Sequence, residues 1–197
     1  MRVGFIGLGN VGAKLAGSLL RNGYELQVRD LDRGAAEHLI ERGAGWADSG
    51  RAMAEACEVV ITCLPSPVVS AQVMEEPGGL LEGLGVGKVW LEMSTTEAVD
   101  VQRLAALVEA TGATPLDTPV SGGCHRAATG NIAIFAGGRR EAFERVLPLL
   151  SAMGRQIVHT GPLGSASVLK VITNYLAGVQ LISTGEEIGR ASCRERV

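Results

Sequence analysis

The strongest constraint on this chain lies in its first twelve residues. Val3-Gly4-Phe5-Ile6, a short apolar run, leads directly into Gly7-Leu8-Gly9-Asn10-Val11-Gly12, and a helical pattern runs from Asn10 to Arg21. Strand, glycine turn and helix in immediate succession open a β-α-β unit. In such a turn Gly7 permits the tight bend, Gly9 lets the backbone approach a pyrophosphate, and Gly12 lets helix and strand pack closely. The helix start adds free N–H groups and a positive dipole end for phosphates. The glycine pattern alone is a weak signal, and a turn without a ligand is the alternative; the strand before it and the helix after it give it weight.

The rest of the chain continues the alternation. Strands are predicted at Val3–Ile6, Leu26–Val28, Val59–Leu64, Lys88–Glu92, Pro115–Asp117, Ile132–Ala136 and Gln156–His159. Helices are predicted at Asn10–Arg21, Arg33–Arg42, Glu97–Thr111 and Arg139–Met153. Val59–Leu64 is continuously apolar, as in a strand buried on both faces. Alternation of this kind predicts an α/β fold, a Rossmann-type doubly wound, mostly parallel sheet, over residues 1–162. From Ser165 to about Gly189 one long helix follows, apolar on nearly all sides. Such a helix needs cover, and a second domain or a partner subunit is expected on it. It is read as the start of an all-α domain in 163–197, ending in an atypical tail, 190–197, that carries three arginines.

Composition excludes several classes. Glycine is 27 of 197 residues, against an ordinary share of about 7%, which fits many turns and close backbone approaches. Aromatics are 4% and the net charge is −3, so no nucleic-acid partner is expected. No run reaches the length of a membrane span: Val168–Ile182 is interrupted by Lys170, Thr173, Asn174 and Gln180. Cys57, Cys63, Cys124 and Cys193 form no C-x-x-C pair, so reduced thiols in a cytoplasmic protein and no metal site are expected.

Asp30 stands 18 residues after Gly12, near the spacing of an acidic residue that binds ribose hydroxyls. Its charge repels a 2′-phosphate, which favours NAD over NADP, although Arg29 and Arg33 flank it and NADP remains possible; a plain turn residue is the alternative. Two more strand ends, Cys63-Leu64-Pro65 and Met93-Ser94-Thr95-Thr96, face the same crevice. Thr95 or its neighbours are in reach of the nicotinamide ribose, and Ser94 to Thr96 also fit a helix N-cap. Asp117-Thr118-Pro119-Val120-Ser121-Gly122-Gly123 offers backbone N–H groups as a nest for a carboxylate, or is an ordinary turn. Lys170 and Asn174 share a helix face in apolar surroundings. Desolvation there suits the lysine to proton transfer; a lysine that stretches to water is the alternative. Gly7, Gly9, Gly12, Gly122, Gly123 and Gly164 are the glycines expected to meet a ligand.

Together these segments, with Gly161-Pro162-Leu163-Gly164-Ser165-Ala166 before Lys170, resemble the β-hydroxyacid dehydrogenases in order and spacing across nearly all of residues 1–189. The resemblance implies that Lys170 is the catalytic lysine and Asn174 places the substrate. It implies that Ser121, Gly122 and Gly123 bind substrate, Thr95 contacts cofactor, and Leu64-Pro65 does so through its backbone. Departures are Val11 where methionine is usual, Ala166 where a third glycine is usual, expected to crowd the pyrophosphate slightly, and Thr173 where asparagine is usual. Lys170 argues against the related imine reductases. The family continues as a helical domain, so this chain reads as truncated. The resemblance implies NAD-linked interconversion of a small, carboxylate-bearing 3-hydroxy acid and its semialdehyde, in a homo-oligomer when full length. Alternatives are an NAD-binding module without turnover and a reductase of imines or other carbonyls.

Overall fold

The structure, a computed structural model, describes residues 1–194. Its elements open with β1 (Arg2–Ile6), α1 (Gly12–Arg21) and β2 (Glu25–Arg29). A 3-10 turn, Arg33–Ala36, leads into α2 (Glu37–Ile40), β3 (Gly45–Trp46), α3 (Gly50–Ala56), β4 (Val59–Thr62) and α4 (Pro67–Glu75). Next come β5 (Val89–Glu92), α5 (Ala98–Ala110), β6 (Thr114–Asp117), β7 (Val120–Ser121) and α6 (Gly123–Ala128). The described chain closes with β8 (Ile132–Gly137), α7 (Arg140–Met153), β9 (Gly154–Gly161) and α8 (Ser165–Arg194).

The strands form one sheet in the order β3-β2-β1-β4-β5-β6-β8-β7, with β9 also on β8. Pairings from β3 through β6 are parallel, β8 meets β6 and β7 antiparallel, and β9 returns parallel to β8. The predicted mostly parallel, doubly wound sheet is therefore present. Val59, Val60 and Ile61 of β4 are fully buried, since helices cover both faces of a parallel sheet. Trp90 is buried in the core on one face, and its indole N–H donates to the Thr62 hydroxyl at 2.9 Å, which satisfies its polar atom.

The expected helix over 33–42 divides into the 3-10 turn and a single turn of α2. Asp32 starts it by accepting the Gly34 N–H at 2.9 Å, and Gly34 weakens any longer helix. Two helices that the periodicity did not predict, α3 and α4, begin at Ser49 and Ser66, whose hydroxyls cap them. Pro67 occupies the first turn of α4, where its missing N–H costs nothing.

α8 does not break at Gly189 but runs to Arg194; residues 195–197 of the tail lie outside the described residues. Its first turns pack on β6, β8, β9 and α5. Farther along, Ile172, Leu176, Leu181 and Ile182 are exposed. By length and composition alone the segment Ser165–Arg190 is long and apolar enough to cross a membrane, which the interrupted pattern of Val168–Ile182 did not predict.

Candidate active site

A crevice of about 660 Å³ opens at the carboxyl ends of β1, β2, β4 and β5. Here the strand order reverses, with β2 and β3 to one side of β1 and β4 and β5 to the other, the place where open parallel sheets hold ligands.

The three glycines of the first turn do different work. Gly7 has φ 96°, and a Cβ there would strike the Cys63 carbonyl oxygen. A Cβ at Gly12 would strike the carbonyl of Gly7 itself. These two are demanded by the protein's own backbone. A Cβ at Gly9 meets nothing within 4 Å, and Gly9 lines the crevice with Asn10 and Val11. It is a cradle that a side chain would begin to fill. The N–H groups of Gly7 and Leu8 are spent on the Arg29 carbonyl, at 3.1 Å, and the Asp30 carboxylate, at 2.6 Å. The Leu8 side chain is core and stays out of the crevice. α1 begins without a side-chain cap; the Ala13 and Lys14 N–H groups go to the Gly9 and Val11 carbonyls, at 3.1 and 3.0 Å, and the positive end of the helix dipole faces the crevice beside Asn10, Val11 and Gly12.

Asp30 lines the crevice, half-buried, and its second oxygen accepts the Asp32 N–H at 3.1 Å. Arg29, which also lines the crevice, donates its Nη1 to the carbonyls of Ala47 and Asp48, at 3.1 and 2.6 Å, and Arg33 lies 5.2 Å over the Trp46 ring. Leu31, fully exposed, brings no cation. The arrangement fits a dinucleotide whose ribose meets the carboxylate.

Leu64, Pro65, Ser94 and Thr95 form another wall. The N-cap expected of Ser94 to Thr96 is not made. Glu97 holds that position without a side-chain bond, and the buried Thr96 hydroxyl has no partner. Ser94 instead accepts the Leu64 N–H on its hydroxyl at 2.8 Å, joining the ends of β4 and β5. Cys63, also on the crevice, has its thiol pushed up to about 12 by burial, which makes it a poor nucleophile.

Across the crevice, Val120, Gly123 and Lys170 line the surface, while Ser121, Gly122 and Asn174 stand outside the lining. Gly122 and Gly123 both have positive φ, 131° and 75°, which bends the chain from β7 into α6. Lys170 is half-buried, and its ammonium donates to Asn174 Oδ1 at 2.9 Å. Desolvation holds it below the ordinary lysine range.

Two acidic residues act where local reading did not place them. Asp117, counted with the ligand loop, is fully buried and caps α8 from the end of β6. Glu92 is buried beneath the Ser94 wall; an acid ending an apolar run was the available signal. Gly164 and Ala166 also depart from expectation: Gly164 is packed against Gln102 and Ala98, Ala166 is fully buried, and neither lines the crevice.

Sheet order, glycine turn and crevice define a dinucleotide-binding α/β domain. Residues 2–161 match the family described as the NAD binding domain of 6-phosphogluconate dehydrogenase, and the chain belongs to that family. It is 40% identical over 185 residues to the NAD-dependent L-serine dehydrogenase of Pseudomonas aeruginosa, covering 94% of this chain and 62% of that protein. To the 3-hydroxyisobutyrate dehydrogenase of the same organism it is 36% identical, with the same coverage. The structure of Mycobacterium tuberculosis 3-hydroxyisobutyrate dehydrogenase with L-serine superposes with a TM-score of 0.89 at 30% identity, covering 94% of this chain and 64% of that one. The chain thus spans about 62% of the length of these curated relatives.

Proposed function

We propose that this chain is the cofactor-binding part of an NAD-linked dehydrogenase that interconverts a small 3-hydroxy acid and its semialdehyde. The observation that carries the reading is one crevice lined both by the Gly9 cradle and by the half-buried Lys170. In this reading residues 1–162 are the cofactor domain and 163–197 begin the helical part.

When bound, NAD supplies the hydride acceptor, and Gly7, Gly9, Asn10, Val11, Gly12, Asp30, Leu64, Pro65 and Thr95 would hold it. Lys170 takes the hydroxyl proton in oxidation and returns a proton to the forming alkoxide in reduction. Desolvation favours its neutral amine, the form that accepts the proton. Asn174, one turn on and bonded to Lys170, orients the reacting oxygen. Backbone groups of Ser121, Gly122 and Gly123 take the substrate carboxylate. The substrates named for the relatives, L-serine and 3-hydroxyisobutyrate, are the first candidates. Asp30 sets NAD ahead of NADP. We assign the protein to the cytoplasm, and the exposed apolar length of α8 to oligomer contact in a longer form.

The test is NADH formation on a panel of 3-hydroxy acids, by this chain and by a longer version. Turnover that Lys170→Ala abolishes is expected. Tight NADH binding with no turnover in either version overturns the dehydrogenase reading in favour of a binding module, and full turnover by Lys170→Ala overturns the mechanism.

A further inference from the structure

Glu92 ends β5 directly beneath the crevice wall and is 1% exposed. Its Oε1 accepts the Ser94 N–H at 2.8 Å, while Oε2 has no hydrogen-bond partner. Around the carboxyl lie the hydroxyls of Ser94, Ser70 and Thr62, and burial outweighs their pull and drives the group above the usual carboxylate range. A bare, charged oxygen is costly in such a place, whereas the neutral acid carries an O–H that a surrounding hydroxyl accepts.

The bonds continue outward from Glu92. Ser94, held at its N–H, presents its hydroxyl to the Leu64 N–H at 2.8 Å and stands 3.5 Å from the Ser70 hydroxyl. Leu64 and Ser94 both line the crevice, followed in the chain by Pro65 and Thr95, which line it too. Glu92 itself touches no part of the crevice surface.

We propose that Glu92 is a positioning residue for the dinucleotide. By fixing Ser94 it sets the Ser94–Leu64 bridge, and through it the wall formed by Leu64, Pro65 and Thr95. The proposal rests on the NAD reading for its functional consequence, and on the bridge alone for its geometry.

The test compares Glu92→Gln, Glu92→Ala and Ser94→Ala in the full chain by hydrogen exchange at the Leu64 amide, NADH titration and thermal midpoint. Gln keeps shape, neutrality and an acceptor for the Ser94 N–H. Glu92→Gln is expected to keep wild-type Leu64 protection, with an NADH Kd within about twofold. Glu92→Ala and Ser94→Ala are expected to speed Leu64 exchange and raise the Kd by about tenfold, with the Ile61 amide of β4 unchanged. A merely structural role would lower the thermal midpoint and leave the Kd of the folded protein alone, and that result overturns the proposal. So does a Glu92→Gln variant as impaired as Glu92→Ala. If Glu92→Ala does not fold, Ser94→Ala and Glu92→Gln decide on the same readouts. Failure of the wild type to bind NADH sinks the cofactor reading and the cofactor role of Glu92 with it, while Leu64 exchange still reports whether the bridge exists.

Discussion

Asp117 accepts the backbone N–H of Ser167 at 2.8 Å, across 50 positions of chain. The same oxygen takes the Ser167 hydroxyl at 3.1 Å, and the other takes the Gly164 N–H at 2.9 Å. A buried carboxylate thus closes the first turn of α8, satisfying amides that have no partner within the helix and meeting the positive dipole end. Lys170 follows Ser167 by less than one turn. The clamp from β6 therefore sets where Lys170 enters the crevice.

Asp117→Ala leaves three donors without an acceptor. A loss of about 3 kcal/mol in urea unfolding is expected, since each buried donor left unpaired costs about 1–3 kcal/mol and some of these will find water. Asp117→Asn should fare almost as badly, because its amide NH2 must face one of the two backbone N–H groups. Near-wild-type stability of the Asn variant would show that water already satisfies one side.

Lys170 predicts a pH dependence with a definite sign. Desolvation places its folded pKa below the ordinary 10.5. The base for oxidation is the neutral amine, so the oxidation rate should rise with pH, with an apparent pKa below 10.5. Lys170→Arg stays charged and should lose that limb, with turnover down at least about 100-fold. Linkage gives an independent check. Between the folded and unfolded values the unfolded chain binds more protons, so the stability owed to this group rises with pH across that window. Lys170→Met should flatten that rise in unfolding experiments.

The sheet was legible in the sequence because its strands obey a simple rule. Val3–Ile6, Val59–Ile61 and Val89–Leu91 of β1, β4 and β5 are buried and read as short apolar runs, so the strand positions fall within two residues of expectation. The glycine turn was legible because backbone contact dictates its residues. α4 was not, since Val68 lies exposed on it and its apolar residues mark no single face. Nor were Asp117 and the Ser94 bridge: their partners lie 50 and 30 positions away, and no local pattern encodes a contact that only the folded sheet creates. Lys170 and Asn174 stood out by polarity in an apolar helix, whereas the crevice that gives Lys170 its setting came only with the strand order.

Asp30 carries the cofactor preference. Arg29 Nη1 is held by the carbonyls of Ala47 and Asp48, Leu31 bears no charge, and the Asp30 carboxylate lines the crevice where a 2′-phosphate would meet its negative charge. Asp30→Ser should improve the ratio of NADPH to NADH affinity by about tenfold, or roughly 1.4 kcal/mol. Because Asp30 also holds the Leu8 N–H at 2.6 Å, NADH binding itself should weaken. Unchanged selectivity in fluorescence titrations of both cofactors would place the ribose elsewhere.

The glycine turn separates folding from binding in a single pair of variants. Gly12→Ala drives a methyl into the Gly7 carbonyl, which is backbone and cannot step aside. That variant should unfold at lower urea concentration by several kcal/mol or fail to accumulate, as overpacking against fixed atoms does. Gly9→Ala meets no protein atom within 4 Å, and its stability should match or slightly exceed wild type. Its methyl would occupy the space at the helix start that a pyrophosphate needs, so NADH affinity should fall by about tenfold or more. Circular dichroism melts and NADH titration on both proteins read the two effects apart. A Gly9→Ala protein that binds NADH as the wild type does would remove the phosphates from this turn.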